Sequence, residues 1–537
     1  MTTLSPISKT PALYTPPAST TAATRGASTT GTAQATPSAI VTLSSAQDLP
    51  SMLAAAATPL MWETKASDPL SYLMAYNYAF QAPTGRFAGL GAAMLDQLKG
   101  DGADFSQTVQ TVRQAPAAAQ ATPYGGVGAI QQPSLHGVGA NQITLSITTK
   151  SGVKVSLSLD SQENGLAIQM KSSGPLSDNE RSALTKLSKG FQDAIDGIAS
   201  SPPKIDLDGL TQFDPNVLAS VDLHSSMQTG ASENQSLDFH ADAAKRTVGL
   251  SGPGGEANIS VDLTKPASWG SQSQQAKATA NYLKQFDQAA ARGHGDATLM
   301  GMFKDAFTEM NSNYGPVLPP QIAALPSITL EDQDHSMLTG LADFSASVTQ
   351  AKTFPNPMRP GEKDSFSYQA SQSTEIKGLD QANRTISQTQ QSSLQASYHQ
   401  STIPDLPLIL TEAAASQNYS YYSIDDTATS TMDMAYKKGI LVKASLSQSS
   451  SQSTRVQKYE MGHLKDDTTT PEQASLTQDL VKTLMPDTKS DDTRTPLERY
   501  QRKQMLSSTN DMIFLQPDAV RLNDEAQALA KPVLSIK

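Results

Sequence analysis

Apolar and polar residues alternate along much of this chain, a pattern typical of β-strands with one buried face. In QITLSITTKSGVKVSLSLD, Ile143, Leu145 and Ile147 alternate with hydroxyl residues, and the same rhythm returns after a turn at 150–152. A third run, GLAIQM, begins at residue 165. Further strands are predicted at 217–228, 235–241, 246–251 and 256–263. These runs predict an antiparallel sheet built from hairpins.

Helical spacing replaces the alternation between and after these strands. Ser177 and Glu180 are spaced as a capping box, and apolar residues then recur on one helical face until Pro202. Two more helices are predicted at 271–292 and 296–312. Such helices have the apolar stripe needed to cover the apolar face of the sheet.

A short motif recurs on five predicted strands. An apolar residue, any residue, Ala and Ser are followed by hydroxyl and amide residues, with starts at 217, 344, 368, 394 and 442. A degenerate copy falls near 418. The motif indicates either a true repeat of about two dozen residues or the same strand pattern arising in a Ser-rich chain. In both cases it predicts long hairpins with Ser and Gln on the outer face.

The predicted fold class is α+β: an antiparallel hairpin sheet covered by helices, plus a Ser/Gln-rich region of long β-hairpins, with a disordered N-terminal tail. The pattern leaves three pairings open for the strands at 340–465: with each other, with the sheet of 141–315, or across subunits. Composition shifts and Pro-rich stretches suggest the boundaries. The predicted parts are a Ser/Thr/Pro/Ala tail at 1–50, short amphipathic helices at 51–113, a linker at 114–140, the α+β domain at 141–315, a Pro-rich connector at 316–335, the long-hairpin region at 336–465 and C-terminal helices and loops at 466–537.

Composition and charge narrow the classes of function. The chain has 537 residues and no cysteine, which excludes disulfides, Cys-ligated zinc and thiol nucleophiles. The net charge of −11 lies in 141–537, and no basic stripe with interleaved aromatics appears, so no nucleic-acid partner is expected. Neither a cleaved signal peptide nor a spanning helix is predicted. The sequence indicates no cofactor.

Two imidazoles and three carboxylates are predicted on one face of two neighbouring strands. Alternation in the DLH and DFHAD stretches places Asp222, His224, Asp238, His240 and Asp242 together. Such a set has the donor atoms for a divalent metal. The alternative is a solvated strand face on which charged side chains normally lie.

Three tyrosines stand close together in a chain that has few aromatic residues. Tyr419, Tyr421 and Tyr422 fall in NYSYYSI. They are candidates for a contact with a protein partner. The alternative is that they fill the inner face of a strand.

Residues 142–228 resemble a domain of uncharacterised proteins from Gram-negative, pseudomonad-type bacteria. The resemblance rests on ITLSITTKSGVKVSLSLD, GPLSDNERSALTKLSKGFQDAIDGI and DLDGLTQFDPNVLASVDLHSS. It carries no catalytic signature and implies no functional residue. The Ser/Thr-rich start is similar in composition to flagellum-linked and type III-exported proteins, which implies export without a cleaved signal.

We expect a non-enzymatic bacterial interaction or structural protein that contacts a protein partner, or itself, through strand edges. It is predicted to be either cytoplasmic or exported to a surface or flagellum. The alternative is a hydrolase that uses carboxylates without a recognisable motif, which a pair of buried acids with shifted pKa values would indicate.

Overall fold

The computed structural model describes residues 60–100, 104–111, 135–230, 233–314, 328–404, 406–484 and 495–530. The predicted tail at 1–50 lies outside these ranges, as does most of the predicted linker and of the predicted Pro-rich connector.

Fifteen antiparallel strands form one sheet in the order β1-β2-β5-β4-β3-β6-β7-β8-β9-β10-β11-β12-β13-β14-β15. From β6 onward each strand pairs with its neighbour in sequence, so this part of the sheet is a meander. The strands are β1 Leu60–Trp62, β2 Phe105–Thr111, β3 Asn141–Thr149, β4 Lys154–Gln162, β5 Gly165–Ser172, β6 Leu218–Gln228, β7 Asn234–Asp242, β8 Lys245–Gly252, β9 Gly255–Asp262, β10 Asp343–Gln350, β11 Ser365–Asp380, β12 Asn383–Ser401, β13 Tyr419–Lys437, β14 Ile440–Glu460 and β15 His463–Asp479.

The predicted α+β fold class is wrong: the described strands form one large open antiparallel sheet, in which the long hairpins continue the hairpin sheet and do not form an additional β region. Strand β10 pairs with β9 without a break, from Asp343 opposite Asp262 to Gln350 opposite Gly255. The result is one large open sheet. The alternating pattern shows which side chains share a face, but it does not show which strand satisfies the backbone groups at the outer edge of β9.

Helices cover one face of this sheet. They are α1 Pro69–Tyr78, α2 Pro83–Arg86, α3 Leu90–Gln97, α4 Asp178–Lys186, α5 Ser188–Ala199, α6 Asp208–Thr211, α7 Gln272–Gly293, α8 Ala297–Met310, α9 Asp332–Ser336, α10 Val481–Leu484, α11 Pro496–Met512 and α12 Ala519–Ala530. The predicted capping box is present: Ser177 accepts from the Glu180 backbone, and Glu180 accepts from the Ser177 backbone. We call the face under these helices the covered face and the opposite one the open face.

The five copies of the recurring motif lie on β6, β10, β11, β12 and β14, and the degenerate copy begins β13. On β10, for example, Phe344 and Ala346 are buried on the covered face while Ser345 is exposed. The main core runs along the covered face. Its largest aromatic cluster has six members, with the ring centroids of Phe286 and Phe307 5.0 Å apart: Tyr282, Phe286, Phe303, Phe307, Phe344 and Tyr368.

Two-residue turns close the long hairpins at β13–β14 and β14–β15. Lys438 and Gly439 both have positive φ, as do Met461 and Gly462. Positive φ at both central positions is the geometry that matches the twist of paired strands, and glycine adopts it without steric cost. These turns allow β13, β14 and β15 to pair along nearly their whole lengths.

A second, smaller core lies beneath α9 and α11, and a buried ion pair ties it together. Arg384 on β12 donates to Asp334 on α9 at 2.7 Å, and the two side chains are 3% and 0% exposed. Tyr436 on β13 donates to the other oxygen of Asp334 at 2.5 Å, and the Arg384 guanidinium lies over the Tyr436 ring. Residues of two neighbouring strands therefore donate hydrogen bonds to the two carboxylate oxygens of Asp334, and one of these residues also supplies the counter-charge.

Replacing Arg384 by Met should lower the free energy of unfolding by about 3–5 kcal/mol, because Asp334 would remain buried without its counter-charge. The matched control is Arg455→Met, which breaks the exposed pair between Arg455 and Asp467 and should change stability little. Urea titration of both variants at pH 7 measures the difference. Equal losses would contradict the assignment of the buried pair as the anchor of α9.

Candidate functional site

The open face carries two rows of polar residues, and none of the helices in the described ranges covers them. Each row takes one residue from each strand between β5 and β15, and the strand registers place successive members directly opposite each other. The first row is Lys171, Ser156, Ser146, Asp222, His240, Thr247, Ser260, Ser345, Ser371, Gln391, Thr429, Ser449 and Ser475. The second row is Gln169, Ser158, Thr144, His224, Asp238, Gly249, Asn258, Ser347, Gln369, Ser393, Thr427, Ser451 and Gln473. We call them the polar rows.

The polar rows change character at β8. From β8 to β15 all sixteen members are Ser, Thr, Asn, Gln or Gly, and none carries a charge. Members of the polar rows from β7 to β13 line a concave trough of about 760 Å³, in which Asp238 of β7 is the one charged member of the rows. With neighbouring strands ~4.8 Å apart, the uncharged part of each row is roughly 34 Å long.

The five predicted His and Asp residues lie on β6 and β7, which we call the charged end of the open face. His224 Nδ1 is 2.7 Å from Asp238 Oδ1, and His240 Nδ1 is 2.6 Å from Asp222 Oδ1. The second nitrogen of His240 is 3.2 Å from Asp242. Sequence alternation therefore placed all five side chains on the same face.

The His224–Asp238 and His240–Asp222 contacts are cross-strand hydrogen bonds, since each imidazole lies opposite a carboxylate of the neighbouring strand, whereas His240 and Asp242 both lie on β7. Burial lowers the pKa of His240, but hydrogen bonds to Asp222 and Asp242 outweigh that effect and raise the pKa overall. Within the described ranges, no group of three or more His, Asp or Glu side chains is arranged to hold a metal ion. A metal at this patch would have to displace the hydrogen bonds that Asp222 and Asp238 already make, and a metal role for these residues stays a prediction.

The three predicted tyrosines lie at the start of β13, where they make contacts within the chain. The Tyr419 ring is fully buried, and its hydroxyl donates to Glu362 at 2.6 Å. The Tyr421 hydroxyl donates to the Lys363 carbonyl at 2.9 Å. Tyr422 stacks on Tyr398 on the covered face at 4.9 Å. Much of their surface packs against other residues of the same chain. A contact with a protein partner through these tyrosines stays a prediction.

The sequence alone did not identify His399, which holds the loop between β10 and β11 against the open face. His399 Nδ1 is 2.6 Å from Asp364 and its Nε2 is 3.1 Å from Glu362, with the imidazole almost completely buried. Burial lowers the pKa of His399, but the two carboxylates outweigh it and raise the pKa overall. The only signal was a lone His at the end of a predicted strand, and nothing in the sequence paired it with Asp364 and Glu362, 35 and 37 positions earlier.

A second missed cluster has residue types found in hydrolases. His136 Nε2 lies 3.1 Å from the hydroxyls of both Ser106 and Thr108, and 3.0 Å from Glu63 Oε2. Burial raises the pKa of Glu63, but hydrogen bonds from His136, Thr108 and Ser106 lower it overall. The carboxylate and both hydroxyls meet the same ring nitrogen, and Nδ1 has no hydrogen-bond partner, so the cluster lacks the arrangement of a catalytic base, in which a carboxylate orients the opposite ring nitrogen.

One carboxyl group has the shifted pKa expected of a catalytic acid. Burial and the nearby charges of Asp208, Asp206 and Asp305 raise the pKa of Glu309 on α8 to about 7. One of its carboxyl oxygens is buried without a hydrogen-bond partner.

Comparisons with protein-family models, curated protein sequences and solved structures found no match to this chain. Across the described ranges, no helix is both long and apolar enough to span a membrane. The resemblance of residues 142–228 to a domain of Gram-negative proteins stays a prediction.

Because His399 binds two carboxylates of the loop between β10 and β11, we expect this loop to become less stable as the pH rises. The imidazolium is bound more tightly in the folded loop than in the unfolded chain, so its stabilising effect is complete below the unfolded pKa of about 6.5 and is lost as the pH rises through the higher folded pKa. Hydrogen exchange at the Thr353 and Asp364 amides, which bond to each other's carbonyls, should therefore become faster at pH 9 than at pH 6 after correction for intrinsic rates.

In His399→Asn this exchange should be fast at both pH values. The matched variant His224→Asn, which removes an exposed histidine from the charged end of the open face, should exchange at these amides like the unmodified protein. Unchanged protection in His399→Asn would contradict the role of His399.

Proposed function

We propose that the protein is a non-enzymatic binding protein whose open face holds a neutral, hydroxyl-rich linear polymer such as a polysaccharide. The observation that carries this proposal is the pair of uncharged polar rows across β8 to β15. Hydroxyl and amide groups both donate and accept hydrogen bonds, as the hydroxyls of a glycan do.

The absence of charge from these rows supports a binding role. Exposed surfaces of soluble proteins usually mix charges of both signs among their polar residues, because charge maintains solubility. In this chain 17% of residues are charged, yet all sixteen of these positions on eight successive strands are uncharged. A partner without charge can approach such a surface without leaving any charged group desolvated and unpaired.

The shape of the surface supports an extended ligand. The trough crosses the strands, so a linear polymer lying in it would meet a new pair of side chains at every strand. Side chains on a hydrogen-bonded sheet are fixed in spacing, which reduces the entropy lost on binding.

Replacing Ser371, in the middle of the first row, by Arg should abolish binding of a neutral polysaccharide, because it places a bulky charge in the trough. The matched control is Thr385→Arg, an exposed position on the same face but outside the trough. Binding is measured on a panel of neutral and acidic polysaccharides at low and high salt. The unmodified protein should prefer a neutral polymer with little salt dependence. Binding of acidic polymers alone, or of none, would contradict the proposal.

The hydrolase alternative is supported by Glu309, whose carboxyl is held beside Asp206 and Asp208. Because its folded pKa lies above the ordinary 4.5, folding favours the protonated form, and stability falls as the pH rises from about 4.5 to about 7. Glu309→Gln should be more stable than the unmodified protein above pH 7, by on the order of 2 kcal/mol, and equally stable near pH 4.5.

Urea titration across this pH range measures the effect of Glu309→Gln. Asp287→Asn, an exposed carboxylate paired with Lys304, serves as the control and should show no such gain at high pH. A constant difference between Glu309→Gln and the unmodified protein would remove Glu309 as support for the hydrolase alternative.

Contact through strand edges stays a prediction, now centred on β15. This strand ends the sheet and has no neighbour on its outer side among the described residues. Pro471, Asp466 and Asp467 lie along it, and proline and charges on an edge strand oppose the addition of another strand. Export through the tail at 1–50 also stays a prediction.

A further inference from the structure

The covered face contains a cavity of about 330 Å³ between α7, strands β11 to β15 and the segment leading into α12. It lies on the opposite side of the sheet from the polar rows, so it is independent of the proposed polysaccharide surface. Its size is that of a pocket for a small molecule.

Two buried polar atoms at this cavity lack hydrogen-bond partners. Gln285 is 6% exposed, and its Oε1 is unpartnered although its amide nitrogen donates to the Leu515 carbonyl. Tyr368 is 3% exposed, and its hydroxyl has no hydrogen-bond partner of normal geometry. Burial raises the pKa of Tyr368, which the nearby Ser392 hydroxyl only partly offsets. A buried polar atom without a partner costs about 1–3 kcal/mol of folding free energy. The presence of two such atoms at one cavity therefore points to a ligand that pairs with them.

The charges around the cavity define the chemistry of that ligand. Arg292 forms a two-point ion pair with Asp426, bonding to one carboxylate oxygen through Nε and to the other through a terminal nitrogen at 2.9 Å. This pair leaves the carboxylates of Glu472 and Asp518 as the excess charge of the lining. The unpartnered Gln285 oxygen is also an acceptor. The cavity therefore offers acceptors and negative charge to a molecule that donates hydrogen bonds.

We infer that this cavity binds a small linear aliphatic amine, with one ammonium group near Glu472 and Asp518 and the other end donating to Gln285 Oε1 and Tyr368. An ammonium group has three donors and no acceptor, which fits an acceptor-rich lining. A neutral diol of the same length lacks the charge, and a carboxylate would be repelled.

The test uses the full chain and putrescine as the probe, with 1,4-butanediol and acetate as matched neutral and anionic probes. Putrescine should raise the melting temperature in a concentration-dependent way, and the other two should not. Titration calorimetry then gives its affinity. No response to putrescine at up to about 10 mM, or an equal response to butanediol, would overturn the inference.

Two variants locate the site. Glu472→Gln should weaken putrescine binding about tenfold, whereas Glu525→Gln, at the neighbouring cavity lined by α7 and α12, should leave it unchanged. Tyr368→Phe should raise the melting temperature without ligand, because it removes a buried unpaired hydroxyl, and should also weaken putrescine binding. If Glu472→Gln and Glu525→Gln bound putrescine equally, the amine would be bound elsewhere and the assignment would be wrong.

Discussion

Backbone hydrogen bonding between neighbouring strands is the interaction on which the rest of this protein depends. Each strand from β2 to β14 has a partner on both sides, and one unbroken set of pairings joins all fifteen. Because the register of each pairing fixes which residues lie opposite each other, it fixes both faces of the sheet at once. The apolar core and the polar rows are two results of the same registers.

A sheet with one apolar face is stable only if that face is covered. The helices supply the cover, and the last segment of the chain contributes through polar contacts as well as apolar ones. Buried glutamines of the sheet donate hydrogen bonds to the backbone of this last segment: Gln390 donates to the Ile513 carbonyl at 2.8 Å, and Gln448 donates to the Phe514 carbonyl at 2.9 Å. Polar residues on the covered face therefore satisfy a crossing chain that has no strand to pair with.

The two faces have different chemistry, which separates the two proposed binding sites. The open face presents uncharged groups in fixed rows and suits an extended neutral ligand. The cavity on the covered face is small, acceptor-rich and negatively charged, and suits a compact cation. One face can therefore bind a ligand without occupying the other.

The sequence by itself indicated most of the strands and helices and the sides on which their residues lie, since period two and period 3.6 are properties of the local chain. It grouped Asp222, His224, Asp238, His240 and Asp242 correctly on one face for that reason. It did not indicate β1 and β2, which lie in the stretch predicted as short helices, or the part of β15 beyond residue 465. It did not show that β9 and β10 join two regions into a single sheet, because the residues between them carry no pattern that names a partner strand. The contacts of His399 with Glu362 and Asp364, and the two unpaired atoms at the cavity on the covered face, also depend on segments far apart in the chain. Only tertiary structure brings those segments together, because backbone pairing and the covering of the apolar face decide which distant residues meet.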